Sequence, residues 1–310
     1  MQLCRVYKQA SNIYQKLNYK LISWLIFIIL AFIWGSSFIL MKEGLMNLNA
    51  YQVASLRIIS SGIILLPLAF RAFRQIPRKK LGIVFLSGTL GSLLPAYLFC
   101  IAEQGIDSAL AGTLNSLTPI FVIIIGAVFF GSKASYAKII GIIIAFAGSL
   151  LLFFNQPHFS ENSNLLLVLF IVLATIMYGI NVNMVQRHLN NIPSVMAVAA
   201  ALTSNSIPAL IVLYFTGYFK LNLASPGILA STGFSCILGV FGTAIASILF
   251  YILIKRAGAI FSSMVTYAIP VVANFWGLLY GEQIGGIQIL CLGIILAGVY
   301  VANRKNVVVE

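Results

Sequence analysis

One stretch of this chain occurs twice. Ser108-Ala-Leu-Ala-Gly-Thr-Leu-Asn-Ser-Leu-Thr-Pro119 runs on through apolar Phe121–Phe130, and 151 positions after Ser108 the chain reads Ala259-Ile-Phe-Ser-Ser-Met-Val-Thr-Tyr-Ala-Ile-Pro270, followed by Val271–Tyr280. In each copy small and hydroxyl residues precede a proline, and a glycine follows the proline seven positions later (Gly126, Gly277). The same offset matches Gly88-Thr-Leu-Gly91 to Gly239-Val-Phe-Gly242. An internal repeat of this period means that two halves share one architecture.

A helix apolar on nearly every face has no aqueous side to present, so these segments belong in a bilayer. Proline cannot donate to the carbonyl one turn back, so Pro119 withdraws the partner of Asn115 and Pro270 that of Thr266. Broken helices of this kind line cavities or pack on neighbours that satisfy the freed groups, and both prolines are expected to act as hinges. A kink that only improves packing is the other reading of the same prolines.

Hydrophobic residues make up 61% of the chain and charged ones only 8%, against roughly a quarter charged in soluble domains. The formal net charge of +13 would suit nucleic acid only if the basic residues shared one soluble surface. They flank apolar runs instead, so no nucleic-acid partner is expected and the bilayer is. Cys4, Cys100, Cys236 and Cys291 show no ligand spacing, which indicates packing residues, with no metal and no cofactor.

Apolar runs predict spans over about 21–41, 50–70, 81–102, 108–130, 136–154, 165–186, 193–216, 227–254, 259–280 and 285–303. Placing the amino terminus in the cytoplasm puts sixteen of the nineteen basic residues on that side, and of the acids only Glu310. The positive-inside rule thus predicts ten helices with both termini cytoplasmic in a cell (inner) membrane. Residues 1–20 carry Arg5, Lys8, Lys16 and Lys20 without a cleavage site, and read as a basic tail before a retained first helix. A first five-helix repeat over 21–154, an extracytoplasmic connection over 155–164, a second repeat over 165–303 and a tail over 304–310 complete the division. Five is odd, so the second repeat enters the membrane inverted, a plan common among secondary transporters.

Trp34-Gly-Ser-Ser-Phe38, Lys42 and Arg57, the prolines of helices 4 and 9, Gly281-Glu282, and Gly141 and Gly148 echoed by Cys291 and Gly298 together resemble the EamA-type branch of the drug/metabolite transporter superfamily. The resemblance covers residues 21 to about 303. It implies ten helices, a central cavity and movement of small metabolites, often export of amino acids or related compounds. The chain departs from the pattern where Ser132 follows Gly131, where Tyr178-Gly179 answers Trp34-Gly35, and where helix 7 lacks a counterpart of Arg57.

No enzyme signature lies in the spans: His158 and His188 sit at connections and no carboxylate pair reaches membrane depth, so neither metal-assisted nor acid–base hydrolysis is expected. What the spans offer is neutral polar and aromatic groups. The candidates for a substrate-binding wall are Trp34, Ser37 and Tyr97 with Asn115 in the first half, and Tyr178, Asn181, Tyr251, Tyr267 and Asn274 in the second. Helical spacing places Asn115 with Pro119, Tyr178 with Asn181, and Tyr267 with Pro270 and Asn274 on shared faces. The same amides and hydroxyls could instead bind helix to helix. Arg57, about 10 Å inside its helix, is the one charge well within a span, and it could serve the site or meet a structural partner such as Glu103 or Glu282. Lys42, Glu103 and Glu282 sit at outer helix ends, where they could gate. Small-x-x-x-small faces such as Gly141-x-x-x-Ala145 permit close helix approach, within a monomer or a weak homodimer.

The expected function is secondary transport of small neutral or zwitterionic metabolites by alternating access, amino acids or related compounds, in the export direction. A lipid or lipid-linked sugar flippase is the alternative, with a non-transporting membrane scaffold further off. The expected partners are a small-molecule substrate and the lipid bilayer.

Overall fold

A computed structural model describes the backbone of residues 2–106, 108–154, 165–279 and 285–303, and the side chains of these stretches except at 2–18, 108–109, 153 and 273–279. The described backbone is helical, without strands. In chain order the helices are α1 (Gln2–Leu45), α2 (Ala50–Gln75), α3 (Arg78–Ala102), α4 in two pieces (Ser108–Asn115 and Thr118–Phe130) and α5 (Tyr136–Phe154). They continue with α6 (Leu165–His188), α7 (Ser194–Phe215), α8 (Pro226–Ala257), α9 in two pieces (Ala259–Ser263 and Val265–Leu279) and α10 (Gly286–Ala302). Seven of these are long and apolar enough to cross a bilayer, counting α1 from Tyr19 and α4 from Leu110, while α5, α9 and α10 hold shorter apolar runs. Large apolar side chains stand open on the outside, among them Leu25, Ile28, Ile63, Val128 and Leu290, each more than half exposed. Such a surface is stable only where the solvent is lipid.

Local chemistry sets the ends. Asn49 caps α2 by accepting from the Gln52 amide (2.9 Å) while Gln52 returns a bond to the Asn49 amide (3.1 Å), a reciprocal box that satisfies two orphan donors. The Gln52 side-chain nitrogen Nε2 then donates to the Thr216 carbonyl at the end of α7 (3.2 Å). A single glycine, Gly258 at φ 87°, joins α8 to α9, a conformation that residues with a Cβ seldom adopt.

Helices that occupy equivalent places in the two halves pack on each other: α2 lies along α7, and α5 along α10. The α5–α10 seam is made of backbone. A Cβ at Gly141 would overlap the backbone nitrogen of Ala302 and stand 2.6 Å from the Gly298 carbonyl oxygen. One at Gly298 would overlap the backbone nitrogen of Ala145 and stand 2.6 Å from the Gly141 carbonyl oxygen. In lipid, where tails compete for apolar contact, this close approach supplies the dispersion attraction that holds helices together. Along α2–α7, Thr203 donates to the Gly62 carbonyl (3.1 Å) and Ser206 to that of Ile58 (3.1 Å).

The two helices that carry the repeated prolines Pro119 and Pro270 are broken, but upstream of those prolines. In α4 the break falls at Ser116 and Leu117, so that Pro119 sits in the first turn of a new helix, where a missing N–H costs nothing. The carbonyl of Asn115 is not left free: the Thr118 hydroxyl donates to it at 2.8 Å. In α9 the break falls at Met264, about one turn earlier in the repeat, and Thr266 donates to the Ser263 carbonyl at 3.0 Å. The breaks thus fall upstream of Pro119 and Pro270, and in each copy a threonine three residues on holds the last carbonyl of the upstream piece.

Candidate functional site

Where α1, α2, α3, α4, α6, α8 and α9 converge they enclose a cavity of about 90 Å³. Among the described residues α5, α7 and α10 contribute nothing to its wall, so the α5–α10 seam frames the site without entering it, and the α2–α7 seam reaches it through Arg57 of α2.

The wall depends on the duplicated glycine pairs. Gly88 lets α3 approach α7 at Ala201 and Asn205, and Gly239 lets α8 approach α2 at Arg57 and Ser60. One helical turn further, Gly91 and Gly242 face Asn181 and Ser37. At this level both helices widen into π-helical turns, Thr89–Leu93 in α3 and Leu238–Ile245 in α8, the kind of local bulge that recurs at functional sites. The widened turn turns a backbone carbonyl outward, and Gly242 accepts from the indole N–H of Trp34 at 3.1 Å. Ser92 and Thr243, each following the second glycine, line the cavity.

The same two helices meet α6 at a polar relay. Tyr251 of α8 donates to the Asn181 side-chain oxygen of α6 (3.4 Å), which leaves Ser87 of α3 to donate to the Tyr251 oxygen (2.9 Å). On the opposite wall Thr118 also lies 3.3 Å from the Asn115 side-chain oxygen. Aromatic faces fill the space between. Phe99 stacks on Tyr178 with ring centroids 6.2 Å apart, and Trp34 meets Phe250 edge to face at 5.0 Å. Such a lining orients a small solute with an apolar body and a few polar groups.

Arg57, half-buried, also lines the cavity, and its Nε donates to the Thr243 hydroxyl at 2.6 Å. Its partner is therefore a hydroxyl on the α8 bulge, and no described carboxylate takes that role.

The structure brings Trp34, Ser37, Asn115, Tyr178, Asn181 and Tyr251 to the cavity. Tyr97 is not among the lining residues; its hydroxyl bonds to Ser55 at 2.8 Å. Tyr267 is also elsewhere, fully buried and donating to the Ile142 carbonyl of α5 at 3.1 Å. The Tyr267→Phe variant is accordingly expected to lose about 1 kcal/mol of stability, seen as a lower melting temperature, with the half-saturation for any transported solute unchanged. The Asn274 side chain and Glu282 lie outside the described residues. Lys42 is exposed near the end of α1, and Glu103, half-buried at the end of α3, is not among the described lining residues. Ser92, Thr243, Ser247, Phe250 and Thr266 line the cavity without having been singled out from the sequence. The repeat offset that pairs Gly91 with Gly242 also pairs Ser92 with Thr243, and that was the available signal.

Comparison with known proteins gives the site its context. An uncharacterized transporter of Archaeoglobus fulgidus is 27% identical over 285 residues, covering 91% of this chain and 99% of that one. A WAT1-related chloroplastic protein of Arabidopsis thaliana is 25% identical over 91% of this chain and 69% of its own. A probable amino-acid metabolite efflux pump of Escherichia coli is 30% identical over 39% of each chain. A solved crystal structure superposes with a TM-score of 0.70 at 15% identity, over 91% of this chain and 96% of that one, which shows a shared fold. The family model for EamA-like transporters matches twice, at residues 21–154 and 165–304. The chain is thus a multi-pass membrane transporter and no enzyme, and it belongs to the EamA-like transporter family.

Proposed function

We propose that this transporter is a ten-helix secondary carrier with both termini cytoplasmic, built from two inverted five-helix repeats over 21–154 and 165–303, which moves small metabolites outward by alternating access. The reading is carried by one observation: a mid-helix cavity whose polar wall is drawn from both halves, with matched glycine bulges at Gly91 and Gly242. Two related halves around one site can open in turn to either face. Basic residues at Arg71, Arg74, Arg78, Lys79, Lys80, Lys255 and Arg256 favour the cytoplasmic assignment of their helix ends. At that end Trp24, Phe27 and Phe261 form a cluster with ring centroids 5.2–5.3 Å apart, which suits a closed inner gate. Amino acids or related compounds fit a wall of amides, hydroxyls and aromatic faces, and the partial likeness to an amino-acid metabolite efflux pump supports that class.

Counterflow in proteoliposomes with labelled phenylalanine tests the reading. Saturable exchange is expected, at least tenfold slower in Asn115→Ala. The described lining holds no Asp, Glu or His, so flow is expected to be gradient-driven, with an exchange rate flat between about pH 5.5 and 7.5 because no lining group has its ordinary pKa there. Absence of exchange, with binding of lipid head groups instead, would move the cavity to a flippase.

A further inference from the structure

The cavity carries a fixed charge and nothing among its described residues to balance it. Arg57 is the one charged residue in that lining. Its Nε is engaged by Thr243, which holds the plane of the guanidinium. The four N–H donors on its terminal nitrogens make no hydrogen bond to any described residue. A guanidinium held through Nε, on a residue that lines a cavity and with its outer nitrogens unbonded among the described residues, can take a carboxylate through two parallel bonds.

An ammonium finds no such partner. The described lining offers it only neutral oxygens, among them the side-chain oxygens of Asn115 and of Asn181, the latter already accepting from Tyr251. The rings of Trp34 and Tyr178 offer an ammonium only the weaker pull of an aromatic face. Charge counting then orders the ligands. A monoanion leaves the occupied site neutral, a zwitterion leaves its ammonium without a counter-charge, and a cation adds to the charge already there.

We propose that Arg57 recognises the carboxylate of the substrate, and that the site selects amphipathic monocarboxylates, the amino group of an amino acid being dispensable. This rests on the reading of the cavity as a carrier's substrate site. It narrows that reading to one end of the molecule carried.

A matched set with one apolar body tests it: 3-phenylpropanoate, phenylalanine, 3-phenylpropanamide and phenethylamine, as competitors of labelled phenylalanine counterflow and as stabilisers of the purified protein on heating. The expected order is 3-phenylpropanoate at least equal to phenylalanine, with phenethylamine at least tenfold weaker than either. In Arg57→Gln the carboxylates should fall to the level of 3-phenylpropanamide, which itself should change less than threefold; Arg57→Lys should keep the order with reduced affinity. If native protein takes phenethylamine as well as 3-phenylpropanoate, or a folded Arg57→Gln keeps the native order, the proposal is overturned while the carrier stands. If native protein exchanges and binds none of the four, the carrier reading of the cavity fails and this proposal with it. Because the order in native protein is decisive alone, a variant that does not fold leaves the test intact.

Discussion

Gly298→Leu is expected to yield almost no folded protein. Its Cβ would overlap the Ala145 nitrogen and stand 2.8 Å from the Ala145 Cα. No rotamer moves a Cβ, so α5 and α10 would have to separate along a seam held by close contact alone. Ordinary overpacking costs about 1–3 kcal/mol where side chains can give way. Here the obstacle is backbone, and a cost above about 4 kcal/mol is expected, a large part of the roughly 5–15 kcal/mol that holds a typical protein folded. The control lies on the same helix: a Cβ at Gly293 would meet nothing within 4 Å, so Gly293→Leu should change stability by no more than about 0.5 kcal/mol. Thermal unfolding of both variants in detergent, followed by size-exclusion chromatography, separates the outcomes. Equal melting would mean that the seam is not a structural element.

Tyr251→Phe is expected to slow phenylalanine counterflow tenfold or more while the protein remains folded. The ring stays and fills the same space, but Ser87 and Asn181, at 0% and 3% exposure, lose the hydroxyl that joins them. Two buried groups without a partner cost about 1–3 kcal/mol, and each 1.4 kcal/mol is a factor of ten. Part of the cost falls on Asn181, which lines the cavity. Asn181→Ala combined with Tyr251→Phe should therefore lose less than the product of the two single effects, as coupled neighbours do. Initial rates for the four proteins of this cycle check it. An unchanged rate in Tyr251→Phe would make the relay an internal tie between α3, α6 and α8.

Much of the architecture was readable because its causes are local. Apolar runs without an aqueous face mark helices for lipid, and the two prolines and four glycines at one offset mark the duplication. Tyr178 and Asn181 came to the cavity together as helical phase predicted, because α6 runs unbroken through both positions. Tyr267 did not, for a definite reason. Its shared face with Pro270 led to the cavity only on a helix continuous with Ala259–Ser263, and the break at Met264 resets the phase so that Tyr267 meets α5. Tyr97 carried no signal to separate it from Tyr178, since the Ser55 hydroxyl that claims it lies on another helix. The π-helical turns were invisible as such. Glycine permits them, but which neighbours close on Gly88 and Gly239, Asn205 and Arg57 among them, is set by tertiary packing with no local trace.

The unequal breaks in α4 and α9 bear on kinetics. If the two halves were true mirror copies, the site would offer the same half-saturation to solute arriving from either face. A break at Ser116–Leu117 in one half and at Met264 in the other departs from that symmetry, so on the proposed alternating-access reading the half-saturations on the two faces are expected to differ. A passive carrier may not, however, become a one-way valve. Detailed balance requires the ratio of maximal rate to half-saturation to be identical for inward and outward flow of an uncharged solute. A higher half-saturation on one face must therefore come with a proportionally higher maximal rate from that face, so the asymmetry can match the carrier to unequal concentrations on its two sides without any energy source.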